Sequence, residues 1–390
     1  MTDTQVAIVG AGPAGLLLSH LLAMDGIESI VIDSRSRENI EDTVRAGILE
    51  HDTVKVLTET AASQRVLEDG IRHDGIELRF AGAGHRIDFA KLVGRGVWLY
   101  PQHEVLRDLI AARLAAGQDL RFETSATGVD ADADVVRVAT VDQSGAPGAI
   151  TAEFVVGADG SRSVVRAFVT GATDSGHFHE YPFAWFGILC EAPPSAPELI
   201  YSNSEHGFAL ISQRSATVQR MYLQCDPDLD PEAMSDAEVW EQFRLRVAPH
   251  DLVDGPIFQR DVLRFRSFVS SSLRRGRAAL VGDAAHTVPP TGAKGLNLAV
   301  ADVLVLAPAL RALIANGDQA LIDGYAEQAL ARVWKAQHFS WWMTQMLHRQ
   351  DSADAFGHLR QLGELRSVVD SEAGQRYLAE AYTGWPMPGL

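Results

Sequence analysis

The sequence predicts an α/β fold in which a Rossmann-like domain interleaves with a mixed-sheet domain, followed by a helical C-terminal region. Three observations carry this prediction. Two of them are the strand, glycine turn and helix that open the chain, and a second apolar strand at 277–282 that also ends in glycine. A third is the series of short alternating segments between them, which is typical of a largely antiparallel sheet.

The chain begins with an uncharged apolar run, residues 6–9, which has the pattern of a buried parallel strand. It ends in the spacing Gly10-x-Gly12-x-x-Gly15, and an apolar helix follows. Gly10 permits a tight turn, Gly12 lets a pyrophosphate touch the backbone, and Gly15 lets the helix pack against the strand. Phosphates would lie at the helix N-terminus, where free N–H groups favour anions. The next strand ends in Asp33, about where a ribose hydroxyl needs an acid, so the unit predicts an adenine-dinucleotide site rather than a plain tight turn.

Length and composition bound the function. The chain has 390 residues, enough for two or three domains, and we expect no apolar run to reach the roughly 18 residues of a membrane span. A net charge of -17 argues against nucleic-acid and membrane partners, so local cations must bind any anionic substrate. Two cysteines, Cys190 and Cys225, predict neither a disulfide framework nor a metal site and fit the cytoplasm. We also expect no signal peptide, because the first residues already have the pattern of a strand.

Periodicity predicts the elements of the first half. Residues 53–65 and 102–116 are expected to be helices, the second because apolar residues recur at helical spacing between Val105 and Leu114. Alternation of apolar and polar residues predicts strands over 75–80, 86–89, 96–100, 150–156 and, as two strands of a meander, 120–141.

The second half alternates in the same way. Its short apolar runs predict strands of a second sheet over 183–190, 198–201, 207–212, 219–225 and 265–268. Ser235 is a plausible N-cap of a helix over 235–247, and a long apolar helix is expected to open at Thr291. Residues 321–347 and 355–390 are mainly helical in pattern. Because elements of the two sheets alternate along the chain, the domains are expected to interleave.

Three dispersed stretches, residues 10–15, Asp159-Gly160 and Gly282-Asp283, together resemble the single-component FAD-dependent aromatic hydroxylases. The resemblance implies that FAD is bound, that Asp283 approaches its ribityl chain, and that Asp159 contacts both flavin and nicotinamide cofactors. It also implies a division of the chain: 1–180 as the first part of the FAD-binding domain, with residues near 73–98 contributing to the substrate sheet, 181–268 as the substrate-binding domain, 269–349 as the second part of the FAD-binding domain with long helices, and 350–390 as the helical C-terminal region.

The resemblance covers essentially the whole chain and is most specific at Tyr201, 212–215, Arg220, Tyr222, 289–297, 340–343 and Tyr382. It implies a homodimeric enzyme that hydroxylates 4-hydroxybenzoate to 3,4-dihydroxybenzoate with NADPH or NADH and O2, through a flavin C4a-hydroperoxide. Two alternatives remain open at this point: a hydroxylase of a related aromatic acid such as 3,4-dihydroxybenzoate, and an FAD protein that only passes electrons. The tyrosines and the acid-binding residues argue against the second, because electron transfer needs neither.

A hydroxylated aromatic acid needs a cation for its carboxylate. Arg214 offers a planar fork that binds both carboxylate oxygens, and a buried structural ion pair is its alternative role. Ser212 and Tyr222 offer hydroxyl donors beside it, and Gln213 lies in the same stretch. These residues are the predicted carboxylate-binding group of the substrate site.

The phenol of such a substrate needs a route for its proton. Tyr201 can accept the phenol's hydrogen bond, and Tyr382 can extend the chain of hydroxyls. The resemblance implies that His73, with an ordinary pKa near 6.5, ends this relay, although a lone histidine is more often structural. It also implies that the carbonyl of Pro290 contacts the phenol. The helix expected at Thr291 would stabilise negative charge on reduced flavin by up to about 2 kcal/mol.

The remaining cofactor contacts are implied by the resemblance alone. Thr43 stands where an arginine is common near the flavin, and residues 34–41 differ from the usual run in the region that chooses between NADPH and NADH, so the coenzyme remains open. Arg35 and Arg37 either bind a 2′-phosphate or form a solvated face. The predicted cofactor-binding residues are Gly10, Gly12, Ala14, Gly15, Asp33, Thr43, Val44, Arg45, Ala46, Gly47, Ile48, Gln102, Asp159, Asp283, Leu296 and Asn297.

Overall fold

The computed structural model describes residues 2–43, 47–131, 135–171, 176–349, 355–387 and 389. Its sheets and helices confirm the predicted α/β class. The strands are, in chain order, β1 (Thr4–Val9), β2 (Ser29–Ile32), β3 (Ile48–Leu49), β4 (Ile71–His73), β5 (Gly75–Phe80), β6 (Ala83–Asp88), β7 (Val97–Leu99), β8 (Leu120–Arg121), β9 (Ser125–Ala131), β10 (Val136–Val141), β11 (Pro147–Gly157), β12 (His177–Glu191), β13 (Leu199–Ser204), β14 (Gly207–Gln213), β15 (Val218–Cys225), β16 (Ile257–Val269), β17 (Arg274–Arg275), β18 (Ala278–Leu280) and β19 (His286–Thr287).

Most predicted helices are present, with small shifts at their ends. Ser235 caps its helix as predicted: its hydroxyl accepts from the backbone N–H of Glu238, whose carboxylate in turn accepts from the N–H of Ser235. The helices are, in chain order, α1 (Pro13–Met24), α2 (Arg37–Asp42), α3 (His51–Glu59), α4 (Arg65–Glu68), α5 (Phe89–Val93), α6 (Gln102–Ala115), α7 (Val164–Thr170), α8 (Asp236–Val247), α9 (Gly295–Asn316), α10 (Ala320–Leu347), α11 (Ala355–Val369) and α12 (Glu372–Thr383).

The first sheet carries the glycine turns. Its strands β18, β11, β1 and β2 are adjacent and parallel. Val9 lies opposite both Ile32 and Gly157, and Gly157 lies opposite Leu280. The carboxyl ends of the four strands therefore meet at one edge, which is where ligands bind in open α/β sheets. Strands β9 and β10 extend β11 as the predicted antiparallel meander, whereas β8 pairs separately with β2.

The second sheet runs in the order β19-β16-β12-β15-β14-β13-β5-β6 and is antiparallel except between β13 and β5. A third sheet contains β3, β7 and β4. Because side chains alternate along a strand, the second sheet has two different faces. We call the face with Tyr201, Leu210 and Tyr222 the inner face, and it packs against α10, α11 and α12. The opposite face, with Ile211 and Met221, packs against α8.

One predicted helix is interrupted. The helix expected over 53–65 ends at Glu59, and residues 65–68 form a separate turn, α4. The cause is Ala61, which takes φ 57°, a left-handed conformation that a right-handed helix cannot contain. A non-glycine residue in this region carries no sequence signal, so the break was not predictable.

The long apolar helix begins later than predicted. The sequence predicts that it begins at Thr291, but α9 begins at Gly295. Gly292 and Ala293 take φ 87° and 54°, so the segment before α9 is a tight turn and not its first helical turn. The free N–H groups of this helix therefore lie several residues further along than expected.

By length and composition, α9 is the one helix of the described ranges that could cross a membrane, so the expectation of no such segment was wrong. Its apolar character has a different cause. In its most apolar 18-residue window, 61% of the residues are buried inside the protein. Helices α1 and α10 pack against it, and its side chains belong to the core of the first sheet.

Candidate active site and cofactor site

The three dispersed motifs meet at the carboxyl edge of the first sheet. Gly10 takes φ 109°, and a Cβ there would lie 2.2 Å from the carbonyl oxygen of Ala158 and 2.8 Å from the backbone nitrogen of Asp159. A Cβ on Gly282 would lie 3.3 Å from the Cβ of Ala14. Residues of all three stretches therefore contact one another, although they are far apart in the sequence.

This edge fits a dinucleotide. A Cβ on Gly15 would lie 2.0 Å from the carbonyl oxygen of Gly10, so the approach of α1 to the turn requires glycine. Gly12 is the N-cap of α1, and a Cβ there would meet only one atom within 4 Å, at 3.9 Å, which leaves the outer side of the turn accessible. The first turn of α1 has neither a side-chain cap nor an acidic residue, so its N–H groups can bind an anion. The residues present therefore fit the pyrophosphate of FAD.

We expect Gly10→Ala to abolish FAD retention, because the added Cβ cannot lie 2.2 Å from a carbonyl oxygen and φ 109° is strained for alanine. The ratio of flavin to protein absorbance after purification measures this. Gly26→Ala is the matched control, since Gly26 takes φ 72° with no atom within 4 Å of the added Cβ. A Gly10→Ala protein with stoichiometric FAD would contradict the role of the turn.

Asp33 is tied to the glycine turn. One of its carboxylate oxygens accepts from the N–H of Ala11 at 2.8 Å. The guanidinium of Arg35 donates to both carboxylate oxygens at 3.0 Å. Asp33 is buried beside the turn, and its contact with a ribose hydroxyl remains a prediction.

Asp159 is engaged within its own turn. Its carboxylate accepts from the hydroxyl of Ser163 at 2.5 Å and from the N–H of Val164 at 2.7 Å, where α7 begins. Burial raises the pKa of Asp159, and these hydrogen bonds oppose the shift. The carboxylate therefore shapes the turn, and its contacts with flavin and nicotinamide cofactors remain predictions.

A residue that the sequence analysis missed holds the turn that carries Asp283. Oδ2 of Asp302, in α9, accepts from the N–H of Gly282 at 2.8 Å and lies 2.7 Å from Nε2 of His286. Asp302, Gly282 and His286 are all buried. An acid in the middle of a long apolar helix was the available signal, because such an acid needs a buried partner.

Of the predicted flavin-binding residues 43–48, the structure describes Thr43, Gly47 and Ile48. Thr43 is the C-cap of α2. Outside the described residues lie Val44, Arg45 and Ala46. Gly47 accepts from the N–H of Tyr100 at 2.9 Å, and a Cβ on Gly47 would lie 2.0 Å from the Tyr100 carbonyl oxygen, so only glycine fits there. Gln102 begins α6 close to this contact.

Asn297 joins this segment to α9. Asn297 and Leu296 lie in the first turn of that helix. The side-chain oxygen of Asn297 accepts from the N–H of Glu50 at 2.9 Å and from the hydroxyl of Thr53 at 2.8 Å. Its NH2 group donates to the carbonyl of Ile48 at 3.0 Å. The amide is buried and satisfied at both ends, so it fixes the position of β3 against α9.

A buried ion pair lies beside this junction. Nζ of Lys294 is 2.6 Å from Oε1 of Glu50 and donates to the carbonyl oxygen of Tyr382 at 3.0 Å. Burial lowers the pKa of Lys294, and Glu50 opposes the shift. Neither Lys294 nor Glu50 is among the residues predicted from the sequence. The signal for Lys294 was a single lysine in an apolar stretch, but its partner lies 244 residues away and could not be identified.

The two tyrosines of the predicted relay meet. Their hydroxyl oxygens are 2.7 Å apart, and Tyr201 and Tyr382 are each 1% exposed. The ring of Phe89 stacks on Tyr382 with centroids 5.2 Å apart. Burial raises the pKa of both tyrosines, so both hydroxyls are neutral near pH 7. A neutral hydroxyl can donate and accept at once, which a proton relay requires.

Two of the predicted carboxylate-binding residues, Ser212 and Tyr222, share the inner face. Ser212 pairs with Arg220 across β14 and β15, two residues from the pair of Leu210 and Tyr222, so alternation places Ser212 beside Tyr222. The Ser212 hydroxyl donates to the Arg220 carbonyl at 2.5 Å, so its proton is used within the sheet. Burial raises the pKa of Tyr222 to about 12, and the positive charges of Arg220 and Arg214 oppose the shift. The guanidinium carbon of Arg220 lies 5.2 Å from the centroid of the Tyr222 ring.

Gln213 and His73 contact each other at the end of the second sheet. Their Nε2 atoms are 3.0 Å apart, and alternation turns Gln213 away from Ser212. Burial lowers the pKa of His73 to about 4. The Pro290 carbonyl accepts from the N–H of Ala293 at 3.0 Å, which leaves one of its lone pairs for another donor. The predicted roles of Gln213, His73 and Pro290 toward substrate remain predictions.

Comparison with known proteins places the chain in a family. A family model described as "FAD binding domain" matches residues 3–340. A p-hydroxybenzoate hydroxylase of Acinetobacter baylyi is 42% identical over 387 residues, which are 98% of this chain and 96% of that protein. A 3-(3-hydroxy-phenyl)propionate/3-hydroxycinnamic acid hydroxylase of Mycobacterium avium is 29% identical over 343 residues, which are 83% of this chain and 57% of that protein.

Solved structures share the fold. The p-nitrophenol 4-monooxygenase PnpA of Pseudomonas putida superposes with a TM-score of 0.82 at 21% identity, over 98% of this chain and 99% of that one. An aklavinone-11 hydroxylase superposes with a TM-score of 0.73 at 22% identity, over 89% of this chain and 70% of that one. At these identities the likeness concerns the fold alone. The family match and the near-full-length relative show that the chain belongs to the FAD-dependent aromatic hydroxylases of the FAD-binding-domain family.

Proposed function

We propose that this enzyme hydroxylates 4-hydroxybenzoate to 3,4-dihydroxybenzoate with NADPH or NADH and O2. One observation carries the proposal: a buried hydroxyl pair and a cation-flanked hydroxyl belong to a single buried cluster. The pair is Tyr201 with Tyr382, and the flanked hydroxyl is that of Tyr222, near Arg214. An aromatic acid with a para hydroxyl offers its hydroxyl to the tyrosine pair and its carboxylate to Tyr222 and Arg214. The relative that acts on p-hydroxybenzoate supports the same substrate.

In the proposed reaction the residues of the chain orient the substrate and move its proton. FAD, when bound, supplies the redox chemistry between the coenzyme and O2. Arg214 binds the carboxylate with its planar fork, and Tyr222 donates to the same group. Tyr201 accepts the hydrogen bond of the phenol and, with Tyr382, carries its proton away, which makes the adjacent ring carbon electron-rich. The buried surroundings keep out water, which would compete with hydroxylation.

We extend the proposal to the other predicted residues. His73 would take the proton beyond Tyr382. Burial lowers the pKa of His73 to about 4, so its imidazole is neutral near pH 7 and has a nitrogen lone pair that can accept a proton. The Pro290 carbonyl would contact the phenol through its remaining lone pair. Asp33 would bind a ribose hydroxyl of FAD, and Asp283 would approach the ribityl chain.

The test is NAD(P)H oxidation by the purified protein with a panel of aromatic acids, with hydroxylated product and H2O2 quantified. We expect 4-hydroxybenzoate to accelerate coenzyme oxidation and to yield 3,4-dihydroxybenzoate with little H2O2. Preferential turnover of 3,4-dihydroxybenzoate would shift the proposal to that related acid. Coenzyme oxidation without a hydroxylated product from any acid would favour the electron-transfer alternative.

The structure separates the two arginines proposed for coenzyme choice. Arg35 is bound to Asp33 at the cofactor edge, whereas Arg37 pairs with Glu41 and is 51% exposed. We expect Arg37→Ala to raise the KM for NADPH about fivefold and to spare NADH, the effect of losing one exposed ion pair worth about 1 kcal/mol. Steady-state kinetics with both coenzymes measure this. Equal effects on the two coenzymes would indicate that Arg37 is part of a solvated face and does not bind the 2′-phosphate.

We also propose a cytoplasmic homodimer with the domain boundaries given above and with no nucleic-acid or membrane partner. Exposed aromatic side chains on α10 and α11, Trp341 at 46% and Phe356 at 75%, support a subunit contact there. The free thiols of Cys190 and Cys225 support a reducing compartment, and the net charge of -17 opposes binding to polyanions. Light scattering during size-exclusion chromatography measures the subunit number.

A further inference from the structure

The guanidinium of Arg214 has a neighbour that the proposed mechanism does not use. Nη2 of Arg214 lies 3.1 Å from Nδ1 of His103, the second residue of α6. Both side chains are partly buried. A guanidinium only donates hydrogen bonds, so Nδ1 must be the acceptor and the proton of the neutral imidazole must be on Nε2.

A carboxylate favours this tautomer. Nε2 of His103 lies 3.3 Å from Oε1 of Glu104. Glu104 is itself fixed, because Arg107 donates to the same oxygen at 2.6 Å and Arg65 donates to Oε2 at 2.8 Å. The contacts therefore form a series that we call the Glu104–His103–Arg214 series: an anchored carboxylate, an imidazole with one defined tautomer, and the guanidinium.

The charges around His103 keep its imidazole neutral. Burial lowers the pKa of His103, and Arg214 lowers it further. Glu104 and Asp42 oppose the shift, whereas Arg107 adds to it. His103 therefore stays uncharged at and above its ordinary pKa near 6.5, and the acceptor at Nδ1 is present near neutral pH.

We propose that His103 is a positioning residue for the substrate carboxylate. Its Nδ1 accepts one N–H of Arg214 and so fixes the plane of the guanidinium, whose remaining N–H donors bind the carboxylate of an aromatic acid. This rests on the proposed function of Arg214. An arginine side chain has several rotatable bonds, and holding the fork before substrate arrives lowers the entropy lost on binding. The gain applies to ligands with a carboxylate and not to neutral ring analogues.

Two substitutions separate the hydrogen bond from the bulk of the side chain. His103→Leu removes the acceptor, whereas His103→Asn can place an amide oxygen near the position of Nδ1. Binding of 4-hydroxybenzoate and of neutral 4-hydroxybenzamide is followed by the change in the flavin absorption spectrum. We expect His103→Leu to weaken binding of the acid by up to about tenfold, because the free guanidinium must then be ordered when the acid binds, with little change for the amide. We expect His103→Asn to bind the acid within about twofold of wild type.

Three controls make the outcome decisive. His250→Leu makes the same change at a half-buried histidine whose Nε2 contacts the Ser195 carbonyl, outside the substrate site, and is expected to bind the acid normally. FAD content reports the integrity of the fold. If the leucine variant does not fold, His103→Ala removes the same acceptor with a smaller side chain.

The inference is overturned if His103→Leu binds the acid with unchanged affinity, or if it binds the acid, the amide and FAD equally more weakly. In either case the proposed function still stands if the wild-type protein forms the hydroxylated product. Weak binding by His103→Asn also overturns the inference, because the acceptor would then not be the feature that matters. A wild-type protein that neither binds nor hydroxylates any hydroxybenzoate overturns the proposed function, and the inference falls with it.

Discussion

Arg214→Ala is expected to weaken binding of 4-hydroxybenzoate by about two to four orders of magnitude. Removing one partner of a buried ion pair costs about 3–5 kcal/mol, because the other charge is left without compensation. Burial of Arg214 lowers the pKa of its guanidinium, so water cannot easily replace the lost cation. FAD should remain bound, since other residues form the cofactor edge. A spectroscopic titration of the flavin with 4-hydroxybenzoate measures the affinity.

Two further variants sharpen this test. Arg214→Lys should also bind poorly, because an ammonium has the charge but lacks the fork that matches both carboxylate oxygens. Arg264→Ala removes an arginine that lies on the same sheet but is 67% exposed, and it should bind substrate normally. Wild-type affinity in Arg214→Ala would refute the carboxylate-binding role and leave Arg214 as a structural residue.

Tyr201→Phe is expected to reduce hydroxylation about 100-fold or more, since a positioned acid–base group typically contributes about 10²–10⁴-fold. The substitution keeps the ring and removes the hydroxyl that lies 2.7 Å from that of Tyr382. Substrate binding should change little because Arg214 is untouched. Coenzyme oxidation should continue with H2O2 as the main product, because the ring of a protonated phenol is a poor nucleophile. Stopped-flow spectroscopy with product analysis measures how much of the oxidised coenzyme leads to hydroxylated product and how much to H2O2.

The controls for this prediction are other tyrosines of the same cluster. Tyr382→Phe should behave similarly but more mildly, since it lies one step further from the substrate. Tyr181→Phe removes the hydroxyl of another buried tyrosine on the second sheet, which lies 3.2 Å from the hydroxyl of Ser267. This variant should couple coenzyme oxidation to product formation as the wild type does. If Tyr201→Phe forms product with wild-type coupling, Tyr201 only packs and the relay mechanism is wrong for this enzyme.

The parts of the fold that were predictable are those that local chemistry determines. The strand, turn and helix at residues 4–24 follow from one short stretch, in which Gly10 and Gly15 have no substitute. Strand register then brings Asp33, Asp159 and Gly282 to the same edge, because the strands that precede them are parallel neighbours. A sequence shows such motifs, and the parallel sheet brings them together.

The contacts that were not predictable depend on tertiary packing. His103 and Arg214 are 111 residues apart, and Glu50 and Lys294 are 244 residues apart. Nothing in either local sequence indicates the partner, because each contact exists only after several elements have packed. The turn before α9 was missed for a related reason: Ala293 takes a left-handed conformation that alanine rarely adopts, and packing around the turn imposes it.

The pairing of Tyr201 with Tyr382 has a consequence for the order of synthesis on the ribosome. The two hydroxyls are separated by 181 residues of chain, and the later one lies on α12, the last helix described. The parallel strands and glycine turns are all translated before α12, so a nascent chain contains the residues of the cofactor edge before it contains both members of the tyrosine pair. Until α12 docks, the ammonium of Lys294 also lacks the carbonyl of Tyr382. A chain that lacks α12 would therefore keep the glycine turns of the cofactor edge and lose both the second hydroxyl of the tyrosine pair and a hydrogen-bond partner of Lys294.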